Sequence, residues 1–465
     1  MGGARTALYS YLYACRTGGS FILRVEDTDQ ERSTEESMHM QLGDLKWLGL
    51  DWAEGPQVGG DLGPYRQSER MDIYKEYAEK LLESGKAYYC FMTDEELEAE
   101  RELNKEKGIQ HIKSPFRDMS LKGAREKIEA GESAVVRFKT PESKTDYVLT
   151  DIVRGEVTFP SDMVGDFVLL RSDGMPVYNF CCVIDDALMK MTHVLRAEEH
   201  LPNTLRQMMI YEALGFDLPK FGHLSIILGE DKQKLSKRHG ATSIKEYADN
   251  GYLPEAMNNF LALLGWSSPN GDELLSMAQL KEQFDLDRLN ASPAVFDETK
   301  LKWMNGQHLR ELSHEELWGR VKAFLDKEGI AVDGDSQWQD KALGTFKTRA
   351  ETLSELAEMF RPLDSTNFKV DESANEALGW EETRSVVEKW IELMEAHASE
   401  AVSEEDFSQY QNTIKESCGV KGKKLFMPIR VAIIGKPHGA ELKELVPLMT
   451  KTELLKRAKD VHSNL

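Results

Sequence analysis

The fold of this chain is decided by residues 2–29, which read GGARTALYSYLYACRTGGSFILRVEDTD. Apolar side chains recur at helical spacing from Leu8 to Cys15, and a glycine pair ends the run, so the first half predicts a helix. The compact apolar run at residues 21–26 predicts a strand, followed by a turn and a second helical pattern. A helix, a strand and another helix in quick succession indicate a parallel α/β unit.

The chain begins inside this unit, because Gly2 and Gly3 have no strand before them. A doubly wound sheet needs an upstream strand to carry such a glycine turn. We therefore expect a natural N-terminal segment to precede residue 1.

Residues 69–160 read as charged helices and short strand-like pieces, and strand character returns at 167–170 and 177–184. A helical pattern at 202–214 and an apolar run at 224–228 follow. This order predicts an α/β domain that is interrupted by an insertion and then resumed.

Beyond residue 306 the chain is rich in helix signals and poor in strand signals. Residues 313–316 and 403–406 each begin with serine and end with an acidic residue, just before an apolar-periodic run. That spacing is typical of a capping box at a helix N-terminus. An all-α region is therefore predicted for the end of the chain.

The composition is that of a folded protein with several domains. At 465 residues the chain is too long for one hydrophobic core, and roughly two to four domains are expected. No run approaches the roughly 20 apolar residues of a membrane span. The net charge of −22 argues against a general nucleic-acid binder, although it leaves room for a local basic surface.

The five cysteines are scattered and odd in number, which favours reduced structural thiols over a disulfide framework. Cys181 and Cys182 are adjacent. On the strand predicted at 177–184 they would point to opposite faces, so a shared metal ligand role is not favoured.

The segment KLSKR, residues 234–238, follows the apolar run that ends at Leu228. Three cations and a hydroxyl on such a loop can wrap a polyphosphate and stabilise charge on departing pyrophosphate. A solvated basic loop is the alternative.

The pair Gly2-Gly3 can likewise let a nucleotide approach a helix N-terminus, although a glycine pair before a helix is usually only a turn.

Two further segments carry candidate ligands for a small molecule. Glu26 lies at the end of the first predicted strand, where a carboxylate can hold the ammonium group of a free amino acid; the alternative is helix capping by Asp27 or Asp29. Tyr178 lies in the strand predicted at 177–184. Arg196 can pair with a substrate carboxylate, or else form an ion pair with Glu198 or Glu199.

In this order, these segments resemble the class I aminoacyl-tRNA synthetases of the glutamate type. Residues 1–8 are similar to the second half of the family's HIGH-type signature, and residues 234–238 to its KMSKS-type loop. Further matches are GPYRQSER at 63–70, SPAVFD at 292–297 and KLFMPIR at 424–430. The resemblance runs nearly end to end.

The resemblance implies a ligase that activates L-glutamate with ATP and transfers it to the 3′ end of tRNA(Glu), with no protein nucleophile. Its pattern assigns these site residues: ATP binding to Gly2, Gly3 and Lys237; catalysis to Lys234, Ser236, Lys237 and Arg238; the amino-acid pocket to Glu26, Tyr178 and Arg196. Arg196 would take the side-chain carboxylate of glutamate.

The fold implied is α/β and multidomain, a Rossmann catalytic domain split by an insertion. Its predicted segments are 1–68 (Rossmann, first part), 69–170 (acceptor-stem-binding insertion), 171–229 (Rossmann, second part), 230–306 (KMSKS-like loop and stem-contact domain) and 307–465 (helical anticodon-binding region). Glutaminyl relatives end in β-barrels and short tRNA-modifying paralogues lack an anticodon-binding region, so the helix-rich final third fits neither.

The resemblance also implies partners and cofactors. ATP with Mg²⁺, L-glutamate and tRNA(Glu) are expected, with no membrane association and a monomeric state. Some relatives hold zinc in the insertion; here Cys90 has no other cysteine within 70 residues, and a tetrahedral site needs about four ligands, so no zinc is expected.

Basic residues that can meet tRNA phosphates are Lys421, Lys423, Lys424 and Arg430. The compartment is cytoplasmic for a bacterial protein, and mitochondrial or chloroplast for a nuclear-encoded one.

Two positions depart from the family pattern. The histidine expected just before Met1 is absent, and Cys182 stands where some members have an asparagine. The alternatives are a non-catalytic tRNA-binding protein derived from such an enzyme, an enzyme that also charges tRNA(Gln), and one for another amino acid; Arg196 argues for an acidic side chain.

Overall fold

The computed structural model describes residues 1–29, 33–106, 111–236 and 243–465. The chain forms two compact units, one of residues 1–245 with 257–297 and one of residues 246–256 with 298–465. Among the residues described, no helix has both the length and the apolar character needed to cross a bilayer. The finer division into five segments stays a prediction.

Up to residue 297 the chain mixes helices and short strands. In chain order these are α1 Gly2–Thr17, α2 Glu35–Trp47, α3 Met71–Glu83, β1 Ala87–Cys90, α4 Asp94–Glu106, α5 Leu121–Glu129, β2 Val135–Phe138, β3 Asp146–Asp151, β4 Gly155–Pro160, β5 Phe167–Leu170, α6 Tyr178–Leu188, β6 His193–Ala197, α7 Leu201–Leu214, β7 Lys220–Leu224, β8 Ile227–Leu228, α8 Ile244–Asp249, α9 Pro254–Leu263, α10 Met277–Gln283 and β9 Ala294–Val295.

From residue 298 onward the regular elements are helical. They are α11 Glu298–Glu311, α12 His314–Lys327, α13 Ser336–Phe346, α14 Leu353–Phe360, α15 Asn375–Leu378, α16 Thr383–Ala396, α17 Glu404–Cys418, α18 Lys423–Ile434, α19 Leu442–Leu445 and α20 Lys451–Ser463. Their core packs large side chains such as Phe360, Trp390 and Phe407, each at most 1% exposed. The predicted helix-rich end of the chain is confirmed.

Parallel pairing in the first unit brings functional side chains together. Strands β6 and β7 run parallel, with Arg196 opposite His223 in their register. In a parallel pair the carboxyl ends lie at the same edge, which is where α/β folds bind ligands. Between residues 87 and 170, by contrast, β1, β2 and β5 form an antiparallel sheet and β3 and β4 a hairpin.

The strand predicted at 177–184 is wrong, because these residues lie in helix α6. Phe180, Cys181 and Ile184 are fully buried there. A helix buried on several sides reads as a continuous apolar run, and periodicity alone cannot distinguish such a run from a strand. The opposite-face argument for the two adjacent cysteines therefore does not apply.

The strand predicted at 21–26 is present only as two isolated parallel bridges, Ile22 with Glu54 and Val25 with Arg66. The neighbouring backbone turns at Gly55, whose φ is 149°. A Cβ at this glycine would lie 2.7 Å from the carbonyl oxygen of Leu23, so only glycine permits the close approach.

Both predicted capping boxes are confirmed, at Ser313 with Glu316 and at Ser403 with Asp406. We expect Ser403→Ala to lower the free energy of unfolding by about 1 kcal/mol, because it removes the acceptor for the Asp406 N–H. Scanning calorimetry measures the change. Ser408→Ala is the matched control inside the same helix, where the hydroxyl only bonds the Glu404 carbonyl and alanine is a better helix former. Equal losses in both variants would contradict the assignment.

Candidate active site

A cavity of about 1110 Å³ lies in the first unit, where helix α1 begins and strand β6 ends. It brings together six of the predicted site residues, which are Gly2, Gly3, Glu26, Tyr178, Arg196 and Lys234. Ser236 is exposed and is not among the lining residues. Lys237 and Arg238 lie outside the described residues, so their roles remain predictions.

The glycine pair forms the first two residues of α1. A Cβ added at Gly2 or Gly3 would meet nothing within 4 Å, so the chain's own packing does not require glycine there. The space beside these two glycines belongs to the cavity and is open to a ligand. Backbone N–H groups at a helix N-terminus are suited to bind its phosphates.

Arg196 is a buried guanidinium at the carboxyl end of β6, 9% exposed. Its Nε donates to His223 Nε2 at 3.0 Å and its Nη2 to Thr204 Oγ1 at 2.8 Å. Within the described parts of the chain, no ion pair joins this guanidinium to a carboxylate. A buried cation with only neutral partners is suited to an anionic ligand.

The alternative role for Arg196, an ion pair with Glu198 or Glu199, is wrong. Glu198 pairs with Arg154 and accepts the N–H of Ile226 at 3.1 Å. Glu199 pairs instead with Lys234. Each carboxylate is thus engaged elsewhere, and neither neutralises the guanidinium.

Glu26 presents a carboxylate to the cavity and is 42% exposed. It accepts a hydrogen bond from Arg24 Nη2 at 3.1 Å and one from the thiol of Cys182 at 3.2 Å. Arg24 also donates to Asp186 Oδ1 at 2.7 Å. These contacts hold the Glu26 carboxylate in place while leaving part of it open to a cationic group.

The capping alternative for this segment is not what the structure shows. Asp27 accepts hydrogen bonds from the N–H and hydroxyl of Ser68, at 2.8 and 2.7 Å. The N-cap of α2 is Thr34, whose side chain accepts from the N–H of Ser37.

Tyr178 begins α6, and its hydroxyl lies 3.2 Å from Nδ1 of His200. Burial raises the pKa of Tyr178, so the phenol stays neutral. Burial lowers the pKa of His200, and the nearby charge of Arg196 lowers it further. Neutral polar groups therefore line this side of the cavity.

Sequence reasoning gave no role to Arg24, Cys182 or His200, although all three line the cavity. Arg24 and His200 stand in the two segments that carry Glu26 and Arg196, and that proximity was the available signal. For Cys182 the available signal was its departure from the family pattern, at a position where some members have an asparagine. Its contact with Cys181 and its burial raise the pKa of the Cys182 thiol, which keeps it protonated as a donor to Glu26.

Lys234 reaches the cavity from a tight turn after β8. The N–H of Gly229 bonds the Gln233 carbonyl at 2.8 Å, and Leu228 bridges to Lys234. The Lys234 side chain is 66% exposed, and its ammonium pairs with Glu199. An exposed pair of this kind exchanges partners at little cost, so the lysine is available to a phosphate.

The comparisons with known proteins agree along the whole chain. The family described as tRNA synthetases class I (E and Q), catalytic domain, matches residues 1–303, and the anticodon binding domain family matches residues 308–461. A glutamate–tRNA ligase of Bdellovibrio bacteriovorus is 56% identical over 463 residues, 98% of this chain and 94% of that protein. A glutamate–tRNA ligase of Natranaerobius thermophilus is 46% identical over 487 residues, 100% of this chain and 96% of that protein.

The solved structures give the same result. The crystal structure of a glutamate tRNA ligase from Elizabethkingia meningosepticum, in complex with its amino acid, superposes with a TM-score of 0.86 at 33% identity. The superposition covers 100% of this chain and 96% of the crystallised chain. The family models match residues 1–303 and 308–461, and the relatives and the solved structure match nearly the whole chain. The chain therefore belongs to the glutamate–tRNA ligase family of class I tRNA synthetases.

Proposed function

We propose that this chain activates L-glutamate with ATP and transfers it to the 3′ end of tRNA(Glu). The observation that carries the proposal is that one cavity is lined by both the buried Arg196 and the partly open Glu26 carboxylate. Glutamate bears a side-chain carboxylate for the first and an ammonium for the second. A planar guanidinium can bind that carboxylate through two parallel hydrogen bonds.

The phosphates of ATP would lie at the start of α1, between Gly2, Gly3 and the turn that carries Lys234. Ser236, Lys237 and Arg238 complete this proposed phosphate-binding set. No three metal-ligating side chains cluster in the ranges described, so the residues present do not form a dedicated Mg²⁺ cage. Mg²⁺ is commonly held by substrate phosphates with few protein ligands.

The reaction runs in two displacements. An oxygen of the glutamate α-carboxylate attacks the α-phosphorus of ATP, the bond to the bridging oxygen breaks, and pyrophosphate leaves. The terminal hydroxyl of the tRNA then attacks the carbonyl carbon of the adenylate, and AMP leaves. The chain supplies orientation and charge: Arg196 and Glu26 hold the glutamate, Tyr178 shapes the pocket, and Lys234 stabilises the negative charge on pyrophosphate.

The rest of the chain is proposed to bind tRNA. Residues 69–170, with their antiparallel sheet, and residues 230–306 would contact the acceptor stem, between and after the Rossmann parts at 1–68 and 171–229. The helices of 307–465 would contact the anticodon, with phosphates meeting Lys421, Lys423, Lys424 and Arg430. A monomer is part of the same proposal, and light scattering after size-exclusion chromatography measures it.

The test is aminoacylation of tRNA(Glu) and tRNA(Gln) with radiolabelled glutamate, glutamine or aspartate. We expect ATP-dependent charging of tRNA(Glu) with glutamate, and little with the other two amino acids. Charging of both tRNAs with glutamate would show a non-discriminating enzyme. Binding of tRNA without any charging would overturn the ligase proposal in favour of a tRNA-binding protein.

Lys234→Asn is expected to lower kcat for aminoacylation by about 10²-fold, because it removes a preorganised donor to charge that develops on the leaving group. The KM for glutamate should change little, since Lys234 lies on the proposed phosphate side. Steady-state kinetics separates the two constants. Lys232→Asn is the matched control, because Lys232 is exposed in the same turn but does not line the cavity. A similar loss in both variants would contradict the role of Lys234.

A further inference from the structure

A buried line of hydrogen bonds runs behind the cavity from Asp151 through His223 to Arg196. We propose that Asp151, His223 and Thr204 are positioning residues that fix the Arg196 guanidinium for a substrate carboxylate without neutralising its charge. This inference rests on the proposed role of Arg196. The three positioning residues are at most 2% exposed, and none lines the cavity.

Asp151 ends strand β3, and both of its carboxylate oxygens are occupied. Oδ2 accepts the Nδ1–H of His223 at 2.5 Å. Oδ1 accepts backbone N–H groups of Val153, Arg154 and His223 at 2.9, 2.8 and 3.2 Å. Burial acts to raise the pKa of Asp151, but these hydrogen bonds outweigh it and hold the pKa below its ordinary value. The group is therefore an ionised carboxylate that only accepts.

An acceptor at Nδ1 decides the tautomer of His223. The Asp151 carboxylate cannot donate, so Nδ1 carries a ring proton; Arg196 Nε–H can only donate, so Nε2 must offer a lone pair. That lone pair accepts the Nε–H of Arg196 at 3.0 Å, and Thr204 Oγ1 accepts from Nη2 at 2.8 Å. Two nitrogens of the guanidinium are thereby fixed by uncharged acceptors.

The imidazole also keeps the carboxylate away from the arginine. A carboxylate in direct contact with Arg196 would pair with it and compete with the substrate. With His223 between them, the guanidinium stays oriented and its charge remains available. Phe221 adds a further constraint, because its ring lies 5.0 Å from the guanidinium carbon and stacks on His223. The arrangement is suited to select a ligand with a negative charge over its neutral amide.

Thr204→Val is the first test, because valine keeps the branched shape and removes the oxygen that accepts from Arg196 and also lies 3.2 Å from His223 Nε2. We expect the KM for glutamate to rise by about tenfold or more, since small misplacement of a positioning group carries large kinetic costs. The KM for ATP should stay at the parent value, and the preference for glutamate over glutamine should fall. Thr204→Ser restores the oxygen and should recover most of the affinity.

Asp151→Asn is the second test. The amide N–H₂ can donate to Nδ1, which moves the ring proton to Nε2 and turns it towards the Nε–H of Arg196. The same loss of glutamate affinity is expected, with unchanged ATP affinity. Thermal unfolding of each variant is recorded beside the kinetics.

Two results would overturn the inference. If both variants lower only the unfolding temperature, or raise the KM for ATP as much as that for glutamate, the line of hydrogen bonds is purely structural. If Arg196→Gln itself leaves glutamate affinity unchanged, the proposed site is wrong and the inference falls with it. The Arg196 variant thus distinguishes the two failures.

Discussion

Replacing Arg196 by glutamine is expected to lower kcat/KM for glutamate by roughly 10²–10³-fold. Removing one member of a buried, hydrogen-bonded charge pair costs about 2–5 kcal/mol, and each 1.4 kcal/mol is about tenfold. Arg196 is 9% exposed, and no carboxylate of the described chain pairs with its guanidinium. The variant therefore loses the charge that would bind the substrate. Aminoacylation of tRNA(Glu) at varied glutamate concentration measures the loss.

The control for Arg196→Gln is Arg206→Gln. Arg206 lies on α7 with its guanidinium carbon 6.0 Å from the ring centroid of Phe167, and it does not line the cavity. The control should keep the parent kcat/KM. Discrimination gives a second readout, because the Arg196 variant should favour glutamate over glutamine less strongly. Parent-like selectivity in Arg196→Gln would refute a contact between this arginine and the substrate carboxylate.

Local sequence made Glu26 and Arg196 candidate ligands because each stands in a short polar segment, and the structure brings both to one cavity. Their assignment to an amino-acid pocket came from the family resemblance, since local sequence left a structural alternative open for each. The capping boxes at Ser313 and Ser403 were predictable, since they depend on residues three positions apart. Local spacing was enough for the capping boxes, whereas for the site residues it was not enough without the resemblance.

The positioning residues behind Arg196 could not be predicted in the same way. Asp151 and His223 are 72 positions apart, and they meet only because a hairpin packs beside β7. Cys182 was noted only as a departure from the family pattern, and its contact with Glu26 was not predicted because residues 177–184 were taken for a strand. Pairing between residues far apart in the chain is the property that local spacing does not encode.

Asp185→Ala is expected to destabilise the first unit by about 3–5 kcal/mol, because it leaves a buried positive charge uncompensated. Asp185 is fully buried, and Oδ1 accepts from Arg70 Nε at 2.7 Å. Gln67 donates to Oδ2 at 2.9 Å, and the hydroxyl of Tyr74 to both oxygens at 3.0 and 2.8 Å. Arg70 is only 2% exposed, so water cannot replace the lost carboxylate. Scanning calorimetry measures the loss.

The control for this change is Asp72→Ala on helix α3. Asp72 is fully exposed and its pair with Lys75 spans 3.7 Å, so its loss should change the free energy of unfolding far less than the loss of Asp185. Asp185 also lies 3.5 Å from Arg24 Nε, and Arg24 in turn holds Glu26. Variant protein that still folds should therefore bind glutamate more weakly, because the carboxylate proposed for the ammonium loses its support. A stability loss no larger than that of Asp72→Ala would show that the network around Asp185 contributes little to folding, and the expected effect on Glu26 would lose its basis.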